Sequence, residues 1–180
     1  TLASGQCACP AGMYTGSAGQ TSCTACEEGK YQGSTGTTVC VEVLKGDYAC
    51  FSGDSDGTGE TTQATASCDC PAGKYTGSDG QTSCTDCEEG KYQGSTGTTV
   101  CTAAQQGYFA SISDTAVTSA ATGETQVAAG SYACNAAEGT PDGVGVTTLA
   151  SGQCACPAGM YTGSDGQTSC TACEEGKYQG

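Results

Sequence analysis

Hydrophobic and polar residues follow no helical periodicity along this chain, because glycine, threonine and serine are too dense and large apolar side chains stand alone. The most regular apolar positions are tyrosines. Eight of the nine lie two residues after a glycine, and the ninth, Tyr108, follows Gly107 directly. Short G-x-Y and T-x-C pieces alternate with turn residues such as Gly16-Ser17. The pattern predicts small β-hairpins or irregular loops.

The sequence repeats on two scales. Residues 1–33 recur at 148–180 with one change, so the long period is 147 residues, and residues 9–40 recur at 70–101 with three changes. A smaller unit, C-x-x-G-x-Y-x-G-S-x-G-x-T-x-C, lies inside these copies and follows itself with a 17-residue step. Seven such modules fill one period, which predicts a stack in which each module touches mainly its sequence neighbours.

These repeats divide the chain into seven segments. In chain order they are the end of a preceding module (1–8), a double cysteine-rich module (9–40), a wider-loop module (41–69), a second double module (70–101), a cysteine-free degenerate module (102–129), a second wider-loop module (130–155) and the start of the next double module (156–180). We interpret the cysteine-free segment as a module that has lost its bridge.

The 16 cysteines are frequent enough to form a disulfide scaffold. The repeat suggests five 15-residue loops of the form C-x13-C and two wider loops that start at Y-A-C. The predicted pairs are Cys9–Cys23, Cys26–Cys40, Cys50–Cys68, Cys70–Cys84, Cys87–Cys101, Cys134–Cys154 and Cys156–Cys170. Cys7 and Cys173 are left over, which predicts partners outside this stretch in a longer precursor. A crossed pairing within C-x-C…C-x-x-C stays open.

The composition supports a disulfide-held fold. With two Phe, two Met and no Trp, apolar burial alone cannot offset the entropy of ordering the backbone. The sequence therefore predicts small disulfide-rich β or irregular modules in tandem, forming an elongated solenoid-like rod with no central hydrophobic core. Because disulfides persist in oxidising compartments, we expect an extracellular or cell-surface location.

Charge and motif content exclude several classes of function. The net charge of −14, with five Lys and no His, excludes nucleic-acid binding. No apolar run is long enough to span a bilayer. No nucleophile–base set is present, so we predict that the protein is not an enzyme, and we expect no small-molecule ligand.

The frame C-P-A-G-x-Y…G…T-x-C-T-x-C resembles the ephrin-receptor-like cysteine-rich repeat, and it is similar to the simplest module of tumour necrosis factor receptor ectodomains. The resemblance covers roughly 9–40, 70–101 and 156–180. It implies an extracellular rod with one disulfide per small module. Long arrays of near-identical modules also resemble those of protist and algal surface proteins, including proteins of mastigonemes, the hair-like filaments on flagella.

Some residues of the chain also suit a zinc site, O-linked glycans or a calcium site. The C-x-x-C pairs, such as Cys23-x-x-Cys26, could hold zinc, but the secretory composition and the missing His favour disulfides. Dense Ser and Thr make O-linked glycans plausible. The segment 53–60 resembles half a calcium loop, although we favour a solvated acidic turn there. Its potential calcium ligands are Asp54, Asp56, the Thr58 carbonyl and Glu60.

Near-identical repeats present the same surface at a fixed interval, as a filament requires. We therefore predict a structural repeat subunit of an extracellular filament or surface coat, such as a mastigoneme-like appendage, that self-associates. The alternative is a cysteine-rich ectodomain or adhesin that acts as a binding module. Apart from calcium and O-linked glycans, we expect no cofactor.

Overall fold

Short β-strands make up most of the secondary structure of the residues that the structure describes. The computed structural model describes residues 8–18, 20–50, 61–62, 66–113, 115–117, 119–135, 145–146 and 149–177. The strands in these ranges are β1 (Met13–Tyr14), β2 (Thr24–Ala25), β3 (Lys30–Tyr31), β4 (Val41–Glu42), β5 (Asp47–Ala49), β6 (Ser67–Asp69), β7 (Lys74–Tyr75), β8 (Thr85–Asp86), β9 (Lys91–Tyr92), β10 (Thr102–Ala103), β11 (Tyr108–Ile112), β12 (Thr115–Ala116), β13 (Gly123–Gln126), β14 (Ser131–Cys134), β15 (Gly152–Ala155), β16 (Met160–Tyr161) and β17 (Thr171–Ala172).

The strands pair locally. Seven sheets have two strands each, namely β1–β2, β3–β4, β5–β6, β7–β8, β9–β10, β14–β15 and β16–β17, and one sheet has three, in the order β12-β11-β13. The registers defined for these sheets are antiparallel. Each sheet therefore joins strands that are close in sequence, and the prediction of small disulfide-rich β modules in tandem is confirmed.

A tight turn sets the start of the first strand in each module. In C-P-A-G-M, the Met13 amide donates to the Pro10 carbonyl at 3.2 Å, and Gly12 has a φ of +80°. A type II turn requires such a positive φ at its third residue, where glycine carries no Cβ penalty. The same bond recurs in C-E-E-G-K, where the Lys30 amide donates to the Glu27 carbonyl at 3.0 Å.

Seven disulfides close the loops. They join Cys9–Cys23, Cys26–Cys40, Cys50–Cys68, Cys70–Cys84, Cys87–Cys101, Cys134–Cys154 and Cys156–Cys170. These are the seven pairs that the repeat predicts, without crossed pairing. Both cysteines of Cys23-x-x-Cys26 are thus held in disulfides. Among the described cysteines, Cys173 is the one that remains free. Cys7 lies outside the described residues.

The turn glycine and its hydrogen bonds define one frame for every module. We number the frame from the first cysteine, so that the turn glycine is position 4 and the aromatic residue is position 6. Three modules carry valine or alanine at position 1 in place of cysteine. Modules A to I begin, in order, at Cys9, Cys26, Val43, Cys70, Cys87, Ala104, Val127, Cys156 and Cys173.

The chain divides into two compact units. The first comprises residues 1–70, 76–85 and 97–99, and the second comprises residues 71–75, 86–96 and 100–180. In the first unit, the buried apolar residues are cystines together with Val43, Ala49 and Ala66. In the second unit, the described residues form three small clusters, of which the most apolar contains Phe109, Val127, Ala133 and Ala150. The apolar contacts of the described residues are thus dispersed among the modules. The elongated rod shape stays a prediction.

Candidate functional site: the junction between modules

One backbone hydrogen bond recurs at every junction between successive modules. The amide of position 1 donates to the carbonyl of the position 4 glycine in the module before it, over 2.8–3.0 Å. The eight bonds run from Cys26 to Gly12, Val43 to Gly29, Cys70 to Gly46, Cys87 to Gly73, Ala104 to Gly90, Val127 to Gly107, Cys156 to Gly130 and Cys173 to Gly159. Because the backbone makes this bond, it does not depend on a cysteine at position 1.

A second set of bonds runs in the opposite direction. The carbonyl of position 1 accepts from the amide of position 11 in the next module, as from Gly36 to Cys9 at 2.8 Å. The same bond joins Gly80 to Val43, Gly97 to Cys70 and Gly166 to Val127. In module F the donor is instead the seventeenth residue, Ala120, whose amide donates to the Cys87 carbonyl. At Val43, Cys70, Cys87 and Val127, both the amide and the carbonyl of position 1 are therefore paired, as buried backbone groups require.

Position 1 is also where the side chains pack. In modules A to G this residue is at most 1% exposed, whether it is a half-cystine, valine or alanine. Val43 and Val127 are completely buried. Full burial of a valine contributes about 1.5–3 kcal/mol relative to exposure. A small apolar side chain thus occupies the space of the half-cystine where position 1 carries no bridge.

In modules C, F and G, the link between strands is not made at position 1 but two residues after the aromatic position. These modules share the pattern G-x-[Y/F]-A-[C/S]. In module G, Cys134 bonds to Cys154, which lies opposite Tyr132 in the register. Module C has the same diagonal arrangement, with Cys50 bonded to Cys68 opposite Tyr48. In module F, the corresponding residues are Ser111 and Thr125, with Thr125 opposite Phe109, and their hydroxyls form a hydrogen bond of 2.8 Å. Module F is therefore a wider-loop module in which a hydrogen bond replaces the disulfide.

In module F, the aromatic residue two positions after the turn glycine is a phenylalanine. Phe109, rather than Tyr108, occupies the aromatic position 6 and is 2% exposed, whereas Tyr108 is half-buried. Successive residues of a strand point to opposite faces, so a shift of one residue exchanges the buried and outer positions.

In the neighbouring module E, burial and the adjacent Glu124 carboxylate raise the pKa of Tyr92.

Packing extends beyond the adjacent module. A Cβ placed on Gly46 would lie 2.5 Å from the carbonyl oxygen of Gly97, which belongs to the second module along. Gly73 makes the equivalent close approach to the Ala120 carbonyl oxygen. At Gly46 and Gly73, glycine is therefore required both by its positive φ and by the absence of room for a side chain.

Two of the sequence differences between repeats form a new cross-strand pair. Met13 lies opposite Ala25 in β1–β2, and Met160 lies opposite Ala172 in β16–β17. In module D these positions carry Lys74 and Asp86, whose Nζ and Oδ1 atoms are 2.7 Å apart. The two substitutions therefore compensate each other.

The remaining difference between repeats, Ala18 against Asp79 and Asp165, adds a hydrogen bond at the junctions that follow wider-loop modules. Asp79 Oδ1 accepts a hydrogen bond from the Lys45 amide at 2.8 Å, and Asp165 Oδ1 accepts one from the Ala129 amide at the same distance. Both acceptors occupy position 10, and both donors occupy position 3 of the preceding module, C or G. Ala18, at the equivalent position of module A, has no side-chain acceptor.

A shallow groove recurs on the double modules. One copy, of about 210 Å³, is lined by Tyr14, Glu27, Lys30, Val39 and Cys40. The second, of about 60 Å³, is lined by the equivalent residues Tyr75, Glu88, Lys91, Val100 and Cys101. Both valines are largely exposed, at 63% and 64%. The groove was not predicted from the sequence, although the pattern Y…E-x-x-K…V-C that lines it is the same in both double modules.

An ion pair borders each groove. The nitrogen of Lys91 lies 2.8 Å from Glu88, and that of Lys30 lies 3.5 Å from Glu27. The hydrogen bond from Lys91 and its charge lower the pKa of Glu88, and Glu88 in turn raises the pKa of Lys91. Because water and salt screen exposed pairs of this kind, they contribute little to the stability of the fold.

The predicted calcium ligands Asp54, Asp56, Thr58 and Glu60 lie outside the described residues. Within the described part of the chain, no group of three or more His, Cys, Asp or Glu side chains is arranged to hold a metal ion. No helix in this same part is long and apolar enough to cross a membrane.

Comparison with known proteins does not assign the chain to a family. No protein-family model matches the chain, and no curated protein matches it significantly. The functional inference therefore rests on the junctions themselves.

Proposed function

We propose that the protein is a structural repeat subunit of an extracellular filament or surface coat, such as a mastigoneme-like appendage. The observation that supports this is the hydrogen bond from position 1 to the position 4 glycine, which recurs at all eight junctions between modules A and I. A junction that depends on the backbone and on one small apolar side chain can be repeated without limit. A scaffold built from near-identical modules needs this property.

The cysteine chemistry supports an extracellular location. Seven disulfides indicate an oxidising environment, such as the outside of the cell. Each 15-residue loop contributes about 3 kcal/mol in the chain-entropy model. This covalent contribution replaces the large core that the composition does not provide.

Self-association is the second part of the proposal. A period of 147 residues presents the same surface at a constant interval, and a contact between unlike surfaces that does not close produces a filament rather than a ring. The net charge of −14 opposes lateral packing. Salt or divalent cations should therefore strengthen assembly by screening that charge.

Electron microscopy of the purified protein, in buffer with and without salt and calcium, tests this proposal. We expect long fibres whose abundance rises with ionic strength. If light scattering shows a monodisperse monomer at high protein concentration in salt and calcium, with the repeats intact, the filament role is wrong. A chelator arm tests the calcium expectation separately, because the loss of fibres on chelation would assign calcium a role in assembly.

The recurrent groove favours a second candidate function, that of a binding module. Its two copies offer an aromatic ring, a largely exposed valine and an ion pair in the same order. A Val39→Asp, Val100→Asp variant would charge both grooves. Under the structural proposal, this variant still forms fibres if the grooves are not the packing surface. Discrete particles that lose adhesion to cells on this substitution would instead support the binding module.

A further inference from the structure

The disulfides are unevenly spaced along the chain. Each holds its two Cα atoms 5.6–5.9 Å apart, so a residue inside a bridged loop bears no tension when the chain is pulled. Most neighbouring bridges are separated by two or three residue steps. The two longer gaps run from Cys40 to Cys50 and from Cys101 to Cys134. Between bridges, these two gaps are the ones that offer an appreciable length of chain that tension could extend.

The longer gap contains the end of module E, all of module F and the start of module G. Within it, β11 pairs with both β12 and β13, and Phe109 and Ala110 are buried. Side-chain hydrogen bonds support the fold, including that between Ser111 and Thr125 and that between Gln105 and Glu124, at 2.7 Å. No cysteine lies between Cys101 and Cys134. This segment is therefore folded, but non-covalent contacts alone hold it.

Two residues of this segment adopt left-handed backbone conformations without being glycine. Ser113 has a φ of +47° and Ala120 a φ of +54°. An L-residue in this region is disfavoured by about 1–2 kcal/mol. The segment without a disulfide thus also contains two of the three described non-glycine residues with positive φ.

We propose that residues 102–133 form a length reserve, that is, a folded segment that unfolds under tension and lengthens the chain while the disulfide-closed modules stay folded. The gap from Cys101 to Cys134 is about 33 residue steps, or about 110 Å when extended. The gap from Cys40 to Cys50 gives at most about 35 Å. In an array with a 147-residue period, one such reserve occurs in each period.

Its use as a protective element in a filament rests on the function proposed above. The extension itself does not, because it is measured on single molecules. Fibres without an extension step would contradict the reserve alone, and extensible molecules that never assemble would contradict the filament alone.

Single-molecule force spectroscopy on the oxidised 180-residue chain, held by its two ends, tests the proposal. We expect one dominant opening event. Its gain in contour length should be about 110 Å minus the folded separation of Cys101 and Cys134, and it should exceed the roughly 35 Å available from the shorter gap. The event should reverse when the tension is relaxed, because no covalent bond is broken.

An engineered disulfide at the position of the Ser111–Thr125 hydrogen bond would prevent part of this segment from extending. A Ser111→Cys, Thr125→Cys variant places two cysteines in the same diagonal register as Cys134 and Cys154. We expect a new bridge, detectable by mass spectrometry, and a contour gain shortened by about 45 Å, since about 14 residue steps are removed from the path. The control variant, Ser111→Ala, Thr125→Val, should open at lower force with the full gain.

Three results would overturn the proposal. The first is the absence of any event longer than about 35 Å up to the force at which the attachment breaks. The second is a dominant gain well above 110 Å, since bridged loops would then have to be open. The third is an equal gain in the disulfide variant and the control variant, once mass spectrometry has shown the new bridge. If the bridge does not form in the disulfide variant, the register that places module F among the wider-loop modules is wrong, and the proposal fails with it.

Discussion

The close approach at position 4 leads to a prediction with a matched control inside the same chain. Gly73 and Gly159 both occupy position 4 after Pro-Ala, with φ values of +84° and +83°. A Cβ on Gly73 would overlap the Ala120 carbonyl oxygen, whereas a Cβ on Gly159 would find nothing within 4 Å. Comparing Gly73→Ala with Gly159→Ala therefore separates the cost of packing against the second module along from the cost of the backbone conformation.

The two costs can be estimated separately. Alanine at this φ costs about 1–2 kcal/mol, partly offset by about 0.4–1 kcal/mol from the lower entropy of the unfolded chain. Gly159→Ala should therefore cost about 1 kcal/mol. Gly73→Ala carries the same cost, and the displacement of a backbone carbonyl adds about 1–3 kcal/mol, as other overpacking substitutions do. We expect a difference of about 1–3 kcal/mol between the two variants.

Denaturant unfolding followed by tyrosine fluorescence provides the assay, since the chain has nine Tyr and no Trp. The free energies of unfolding of the two variants and the unsubstituted chain are compared under oxidising conditions. Equal losses for Gly73→Ala and Gly159→Ala would show that position 4 glycine serves only the turn, and would refute contact between alternate modules.

Three further predictions concern single contacts. Val43→Ala should lower the free energy of unfolding by about 2 kcal/mol, because it removes buried methyl groups and leaves a cavity, whereas Val100→Ala, at 64% exposure, should change it by less than about 0.5 kcal/mol; similar losses would contradict the role of position 1. Ala120→Gly should raise the free energy of unfolding by up to about 1 kcal/mol by relieving its left-handed conformation, and a clear loss would refute that reading. Asp86→Ala should cost less than about 1 kcal/mol, and Lys74→Met should restore most of that loss, as measured by a double-mutant cycle; strict additivity would show that Lys74 and Asp86 are independent.

The disulfide framework could be predicted from the sequence because the repeat itself encodes it. The distance between paired cysteines is constant in five loops, and two wider loops share a Y-A-C start. A Gly-rich chain with few large apolar residues also leaves disulfides as the main way to hold small modules. The β-turn at C-x-x-G was not predicted, although a glycine at a fixed offset is a signal for a residue with positive φ.

The modules without cysteine at position 1 could not be placed in the same way. Val43, Ala104 and Val127 are ordinary residues in a chain that contains many valines and alanines, and only their backbone bonds identify them as module starts. A signal for the third wider-loop module was present: G-Y-F-A-S at 107–111 aligns with G-D-Y-A-C at 46–50 and G-S-Y-A-C at 130–134. It was missed because the pattern was followed through the tyrosines, whereas this module carries Phe109 at the aromatic position. In addition, a serine in place of a cysteine does not reveal that a hydrogen bond can replace a disulfide.

The contacts between each module and the second module along could not be predicted from the sequence either. Such contacts depend on how far each module rotates relative to the last, which no residue pattern in this chain specifies. The compensating pair Lys74 and Asp86 was visible as two substitutions, but their positions opposite each other on β7 and β8 became apparent only with the strand pairing.

The central claim is that successive modules are joined by the same backbone bonds whether or not a disulfide begins the module. Amide hydrogen exchange followed by NMR measures this directly at position 1. We predict that the amides of Val43, Ala104 and Val127 exchange as slowly as those of Cys26, Cys70 and Cys87, since all six donate to a position 4 carbonyl over 2.8–3.0 Å. Fast exchange confined to Val43, Ala104 and Val127 would show that the disulfides, rather than the junction, hold the modules together, and would contradict the account.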